Sequence, residues 1–590
     1  MGGRPRGRRV TAQAGTNIHD LVIRGGIIVD GSGADRVVGD VAIDRGILTQ
    51  VGGKAGPGKR EVDADGQLVL PGWVDVHTHY DGQATWDPVL APSSWHGATT
   101  IMFGNCGVGF APCRPEDRGR LIDLMEGVED IPGIVLSEGL KWDWESFPEF
   151  LDALERQPRA IDIAAQVPHH PVRVFVMGER ALRHEPATAV DIAAMRQIVE
   201  EGLRAGAFGF TTSRTDLHRT YSGENVPAYF AQVDEFLGIG EALGAIGRGA
   251  FGMLSDFVDE EIEFDWIRKQ AREQGRPVWF LLTDRLSDPL RWTRLMAGVQ
   301  AAQNDGLPVA AQVACRPVGL ILGLLTSMTP FSARPSFAAL SKLDPETRLA
   351  RLKEPGVRAA ILNEESAQHL LDPLSPPHRY AMTRWDRLYI LGDPPEYEPD
   401  DSLSIAHMAA AAGTTPAAFA YDYLTADDGQ RTLFFPVTNY VTGDHEPIRE
   451  MLTAPGTLVG LSDGGAHCGI ICDASMPTYL LTHWARDRTR GDQLPLEWLV
   501  KRQTADNADF FGFADRGRLE PGMRADINIV DHAGLRIRPP ELAHDLPAGG
   551  RRLIQKVDGY SMTLVAGEPV FEKGEHTGEL PGKLVRAGRS

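Results

Sequence analysis

Near its start the chain sets runs of β-branched and aliphatic residues against glycine turns. Leu21-Val22-Ile23-Arg24-Gly25-Gly26-Ile27-Ile28-Val29 is followed by Gly39-Asp40-Val41-Ala42-Ile43-Asp44-Arg45-Gly46-Ile47-Leu48. This pattern predicts short antiparallel strands. The same style returns at Ala525-Asp526-Ile527-Asn528-Ile529-Val530-Asp531 and at Ser561-Met562-Thr563-Leu564-Val565-Ala566-Gly567, so residues 18–70 and 515–590 are expected to share one small β-sandwich. Between them, apolar strand-like runs alternate with helical stretches such as Val190 to Ala205 and Asp259 to Gln274, where apolar residues recur at three- and four-residue spacing. Eight such runs end near His79, Asn105, His169, Ser213, Ser255, Asp284, Arg316 and Asp463. The alternation predicts an α/β fold, a (β/α)₈ TIM-type barrel over residues 71–514, whose chemistry sits where the strands end. One interval, about 326–456, is too long for a simple connection and has a proline-rich stretch from Asp372 to Asp401, which predicts a helical insertion placed as a lid.

Composition narrows the function classes. With 590 residues, a formal charge of −20 and 42% hydrophobic residues, the chain reads as a globular acidic protein, which opposes nucleic-acid binding. No apolar run approaches the ~20 residues of a membrane span. Residues 1–17 are basic and glycine-rich with no apolar stretch behind them, so a disordered tail is expected rather than a secretory signal. Five widely spread cysteines argue for a reducing compartment, and the cytoplasm is the expected location.

The chemistry-bearing residues fall at the predicted strand ends. His77-Thr78-His79 leaves the first strand, and alternation points both imidazoles the same way, toward one cation. Ser462-Asp463-Gly464 leaves the eighth strand, which in a closed barrel lies beside the first, so Asp463 is a candidate ligand and proton acceptor. Gly104-Asn105-Cys106-Gly107 leaves the second strand and brings a thiol, a zinc donor when ionised, next to the histidine pair. His169 ends the third strand, either over the site or bonded to a backbone carbonyl. Arg214, Arg219 and Arg316 are candidates to clamp a substrate carboxylate, with surface arginine as the plainer account. His467 is a further ligand, a proton shuttle or a loop residue. Ser255-Asp256 and Thr283-Asp284 are read as helix caps. Trp142 and Trp144 line an acyl pocket or bury their own loop. Cys468 and Cys472 are read as packing residues.

Taken together, the His77-x-His79 strand, the Gly104-Asn105-Cys106-Gly107 turn, Ser462-Asp463-Gly464 and Pro521-Gly522-Met523-Arg524-Ala525-Asp526 resemble the amidohydrolase superfamily, and within it the N-acyl-D-amino-acid deacylase (D-aminoacylase) branch. The resemblance runs from about Asp20 to Val570. It implies a barrel joined to a β-sandwich, zinc as cofactor, and hydrolysis of the amide of an N-acyl-D-amino acid by metal-bound water. It assigns His77 and His79 as first-strand ligands, Cys106 to the second metal position, and Asp463 as ligand and general base. The family's histidines at the ends of the fifth and sixth strands have no counterpart in Gly247 to Asp256 or Pro277 to Asp284. The expectation is therefore one zinc per chain, with a second weak site left open. A small-molecule amide is the expected partner, and homo-oligomers are implied by the superfamily alone. Two other readings stay open: hydrolysis of a cyclic amide such as a hydantoin, imide or lactam, and a decayed barrel serving as a binding or scaffold protein.

Overall fold

The computed structural model describes residues 18–372 and 374–588; the tail expected over 1–17 lies outside them. The strands at both termini share one nine-stranded sheet, in which Leu68–Pro71 pairs antiparallel with Ile527–Val530. Leu21, Ile23, Val41, Leu48, Ile527 and Leu564 pack its core. The chain passes from Leu68–Pro71 through Gly72 into the first strand of the central layer, where the Trp73 indole N–H donates to the Tyr560 hydroxyl at 3.0 Å. The terminal sheet thus anchors the strand that carries His77.

The central strands are β1 (Trp73–Asp75), β2 (Ala98–Phe103), β3 (Asp162–Ala165, continued by Val167–Pro168), β4 (Gly209–Arg214), β5 (Ala250–Ser255), β6 (Val278–Leu282), β7 (Val309–Val313) and β8 (Thr457–Val459). They fall in a three-stranded and a six-stranded sheet that meet at β3, and every pairing is parallel. Backbone and side-chain hydrogen bonds join the last strand to the first. Asp463 N–H donates to His77 O at 3.1 Å, His79 N–H to Gly464 O at 2.8 Å, and the Asn507 amide bridges Val74 O and Val459 O at 3.0 and 2.9 Å. β2, β5, β6 and β7 are buried along their whole length, as strands covered on both faces must be.

The helices follow local rules. The expected Val190 to Ala205 helix is α2 of the series α1 (Arg118–Glu129), α2 (Ala189–Ala205), α3 (Val233–Ile246) and α4 (Glu260–Gln274). Thr188 and Asp191 cap α2 reciprocally, Met195, Val199 and Leu203 form its buried stripe, and Gly206 ends it at φ 118°. Asp259 caps α4 by accepting from Ile262 N–H, so Ser255 and Asp256, expected as caps, are not the caps. Ser255 instead accepts from Phe257 N–H, and Asp256 pairs with Arg285 at 2.7 Å.

The long insertion differs from the expectation of helices alone. It contains a sheet: Gly319–Gly323 pairs antiparallel with Thr432–Pro436, which also pairs with Tyr389–Ile390. The inserted unit therefore opens at Gly319, upstream of 326. Leu320, Leu322, Phe331, Leu352, Leu424 and Phe435 give it a core of its own. Among the described residues no helix is long and apolar enough to cross a membrane.

Candidate metal centre and cavity

The strand ends at Asp75, and beyond it the Thr78 hydroxyl donates to Met102 O at 2.9 Å. His77 and His79 face together, with ring centroids 5.4 Å apart. Behind His77, Nδ1–H donates to the Gln312 Oε1 of β7 at 2.6 Å, which leaves the Nε2 lone pair free. Trp279 of β6 fills the space beneath that ring, centroid to centroid 5.9 Å, and can do so because β5 carries Gly252: a Cβ there would meet the indole at 2.3 Å.

Cys106 stands at φ 54° in the turn after β2, its Sγ 3.6 Å from His77 Nε2. The turn is held by Asn105, whose amide donates to Thr78 O and Met102 O and whose Oδ1 accepts from Gln166. Asp463, also left-handed at φ 48°, places Oδ1 3.5 Å from His77 Nε2 and 3.4 Å from His79 Nε2. A non-glycine residue held at positive φ is strained and marks a site fixed by its surroundings. Its neighbour Ser462 is locked by a hydroxyl bond to Asp75.

Charge is arranged for a cation. Burial alone would raise the Asp463 carboxyl, but the His79 and His77 imidazoles outweigh it and hold the group at about 2. Burial pushes His77 down to about 4, so its imidazole is neutral near pH 7. His79 is buried, which works against its charged form, yet Glu129 and Asp463 carry its pKa well above the ordinary value. Burial pushes the Cys106 thiol up to about 11. Asp463 Oδ1 is buried without a hydrogen-bond partner, although two imidazole nitrogens face it. A carboxylate oxygen facing two imidazole nitrogens is an arrangement that a divalent cation satisfies once it displaces their protons, and an N/O donor set with a thiol at hand suits zinc. The residues present fit the metal.

His79, Cys106 and Asp463 form part of the lining of a cavity of about 570 Å³. Its other walls come from strand ends and from the insertion, with Leu254, Leu281, Leu320, Leu374, Met382 and Ile470 among the apolar residues. Arg219 and Arg285 are its arginines, and His218, His378, Glu126, Glu129, Asp130, Tyr221 and His467 its other ionisable groups. Arg285 is already paired with Asp256 at 2.7 Å, while among the described residues the Arg219 guanidinium donates only to Gly223 O at 3.1 Å.

The structure brings His77, His79, Cys106 and Asp463 together and sets Arg219 and His467 on the cavity wall. His169, Arg214 and Arg316 are not among the lining residues. His169 is fully buried, bonded to Thr212 Oγ1 at 2.8 Å and to Glu235 at 3.0 Å. Arg214 is drawn to Glu263 at 2.7 Å. Arg316 is 0% exposed, paired with Asp473 at 3.0 Å and stacked over Tyr397 at 3.9 Å, so its charge is spent inside the fold. Trp144 donates to Phe110 O and packs on Phe150, burying its own loop.

Sequence reasoning missed three residues: Gln312, Glu129 and His218. Gln312 carries no motif. Glu129 ends a helix in the β2–β3 connection, one acid among 80 Asp and Glu residues. His218 stood next to a chosen arginine; it bonds Ser213 Oγ at 3.1 Å, and burial pushes it down to about 3.

A model of the amidohydrolase family matches residues 60–571. The D-aminoacylase of Alcaligenes xylosoxydans xylosoxydans is 24% identical over 97% of this chain and 99% of its own. Among solved structures, a D-aminoacylase described for its binuclear metal centre, with one-metal activation and second-metal attenuation, superposes with a TM-score of 0.63 at 22% identity, covering 96% of this chain and all of that one. The N-acyl-D-glutamate deacylase of Bordetella bronchiseptica, complexed with zinc and a phosphonate inhibitor, superposes at 0.62 with 24% identity, covering 97% of this chain and all of the other.

Proposed function

Because the chain belongs to the amidohydrolase family, we propose that it hydrolyses the amide bond of N-acyl-D-amino acids with an apolar side chain or acyl group, as a (β/α)₈ barrel enzyme holding one zinc. The observation that carries the reading is the orphaned Oδ1 of Asp463 facing two imidazole nitrogens on the floor of a largely apolar cavity. The domain division that goes with it is 18–70 with 515–590 as the β module and 71–514 as the barrel, its insertion roofing the cavity.

His77 and His79 through Nε2, and Asp463 through Oδ1, would hold the zinc, with Cys106 beside a second, weaker position. Zinc supplies Lewis acidity toward a carbonyl oxygen and a nucleophilic water near neutral pH. Asp463, ionised at that pH, accepts the proton of the attacking water on a carboxylate oxygen and returns it to the leaving nitrogen, giving a carboxylic acid and an amine without a covalent intermediate. Arg219 offers its remaining donors to the substrate α-carboxylate. The leucine and methionine walls exclude water and take the hydrocarbon part. The relatives' names supply the D preference.

Protein purified without added metal is expected to carry about one zinc per chain by elemental analysis, and to cleave N-acetyl-D-leucine with a higher kcat/KM than N-acetyl-D-glutamate or N-acetyl-L-leucine. A small fraction of one metal per chain, with no hydrolysis restored by zinc, overturns the proposal.

A further inference from the structure

Glu129 is the last residue of α1 and is 1% exposed. The helix stops there because Asp130 takes the left-handed conformation, φ 49°. That turn is pinned from two sides: the Asp130 carboxylate accepts from the Ser327 hydroxyl of the insertion at 2.9 Å and from Gly469 N–H, in the loop after β8, at 3.0 Å. The pinned turn delivers the Glu129 side chain to the cavity wall, behind the metal centre.

There Glu129 Oε1 lies 3.2 Å from His79 Nδ1, and Oε2 lies 3.7 Å from His467 Nε2. Among the described residues neither His79 Nδ1 nor Glu129 Oε2 has a hydrogen-bond partner, and the 3.2 Å approach is an ion-pair contact. No arginine or lysine pairs with Glu129 among the described ion pairs. A carboxylate is not buried uncompensated without a partner to serve.

The other ring of the pair explains what is served. His77 has an acceptor behind it, Gln312 Oε1 on Nδ1 at 2.6 Å, which fixes the tautomer that offers Nε2 to the cluster. His79 presents the same two faces, with Nε2 toward Asp463 Oδ1 at 3.4 Å and Nδ1 toward Glu129. A proton held on Nδ1 leaves the Nε2 lone pair for the cation, and an anionic acceptor makes the ring a stronger donor than a neutral amide does.

We propose that Glu129 is the positioning residue of His79, holding the proton on Nδ1 so that Nε2 meets the metal, and that Asp130 sets this contact by tying the end of α1 to the insertion and to the loop after β8. The assignment rests on the metal centre proposed above.

The test is Glu129→Gln, which keeps the shape and removes the charge, read by chelator competition for zinc and by the visible spectrum of the cobalt-loaded protein. Metal retention is expected to weaken by about 10–100-fold, with an altered cobalt spectrum and an unfolding temperature of the metal-free protein close to wild type. Glu129→Asp, which restores the charge at a shorter reach, is expected to recover part of the affinity. Wild-type chelator midpoint and cobalt spectrum in Glu129→Gln overturn the assignment while leaving the metal centre standing. A fall confined to the metal-free unfolding temperature also overturns it, by reducing Glu129 to a packing role. A wild-type protein that takes up neither zinc nor cobalt overturns the metal centre and the assignment together.

Discussion

Two clusters in this molecule are built from the same side chains and do opposite things with them. His77, His79 and Cys106 meet Asp463 at the cavity, while Glu398 and His445 of the insertion meet His483 of the helical segment after β8, each set with ligand atoms near enough to share an ion. The second set is already neutralised. Glu398 accepts from the backbone N–H of His445 at 2.7 Å, from His483 Nε2 at 2.9 Å and from the Arg488 guanidinium at 3.2 Å on both oxygens. Among the described residues the first set has no guanidinium, and Asp463 Oδ1 has no hydrogen-bond partner. Residue type therefore does not separate the two clusters; the guanidinium beside Glu398, with none paired to Asp463 among the described ion pairs, does. At Glu398 that charge is Arg488, fully buried and bonded onward to Glu446 at 2.9 Å. At Asp463 the facing groups are imidazoles, and no arginine or lysine pairs with it among the described ion pairs.

Matched substitutions test the contrast, and the largest effect is expected at the metal centre. Asp463→Ala should lower turnover by about 10²–10⁴-fold and reduce bound zinc, whereas Glu398→Ala should leave the zinc content unchanged by elemental analysis. Equal metal loss in both variants would erase the distinction. Next in size is a stability effect confined to the clasp. Glu398→Ala leaves Arg488 buried without its counter-charge, a change expected to cost about 3–5 kcal/mol in urea unfolding. An unfolding midpoint within error of wild type would show that Arg488 is satisfied by Glu446 alone.

The smallest effect is a pH dependence. Burial pushes His445 from its ordinary 6.5 to about 3, so the unfolded chain takes up a proton below 6.5 that the fold refuses until about 3. Stability from this group is complete above 6.5 and falls as pH drops through that window, by up to about 1.4 kcal/mol per unit. Burial gives His77, at about 4, the same sign in the metal-free protein. His445→Gln should flatten the decline measured between pH 6.5 and 4.5, and an unchanged slope would assign it to other groups.

How much of this was legible varied with the range of the interaction involved. α2 and α4 were readable because their apolar residues recur at three- and four-residue spacing, a pattern set by near neighbours; their caps, Thr188 and Asp259, came from the structure. His77, His79 and Asp463 were readable because each follows an apolar strand, and consecutive strand ends share one face. Arg316 looked like a substrate clamp because nothing local reveals Asp473, which neutralises it from the loop after β8. The insertion read as helices because its sheet pairs segments as distant as Gly319–Gly323 and Thr432–Pro436. Glu129 and Gln312 were invisible, since a contact behind a histidine ring from a distant helix or strand leaves no spacing pattern in the chain.

By itself, then, the sequence determined the local periodicities, the alternation of strands and helices, and which residue types stand at the strand ends, because these depend on near neighbours and on the two-residue period of an extended chain. Only the tertiary structure decided which of those side chains are free to act. Burial and long-range pairing spend Arg316 and Glu398 within the fold, leave Asp463 Oδ1 without a partner, and bring Glu129 behind His79. Whether a charge is already compensated depends on contacts between residues far apart in the chain, and no local pattern encodes them.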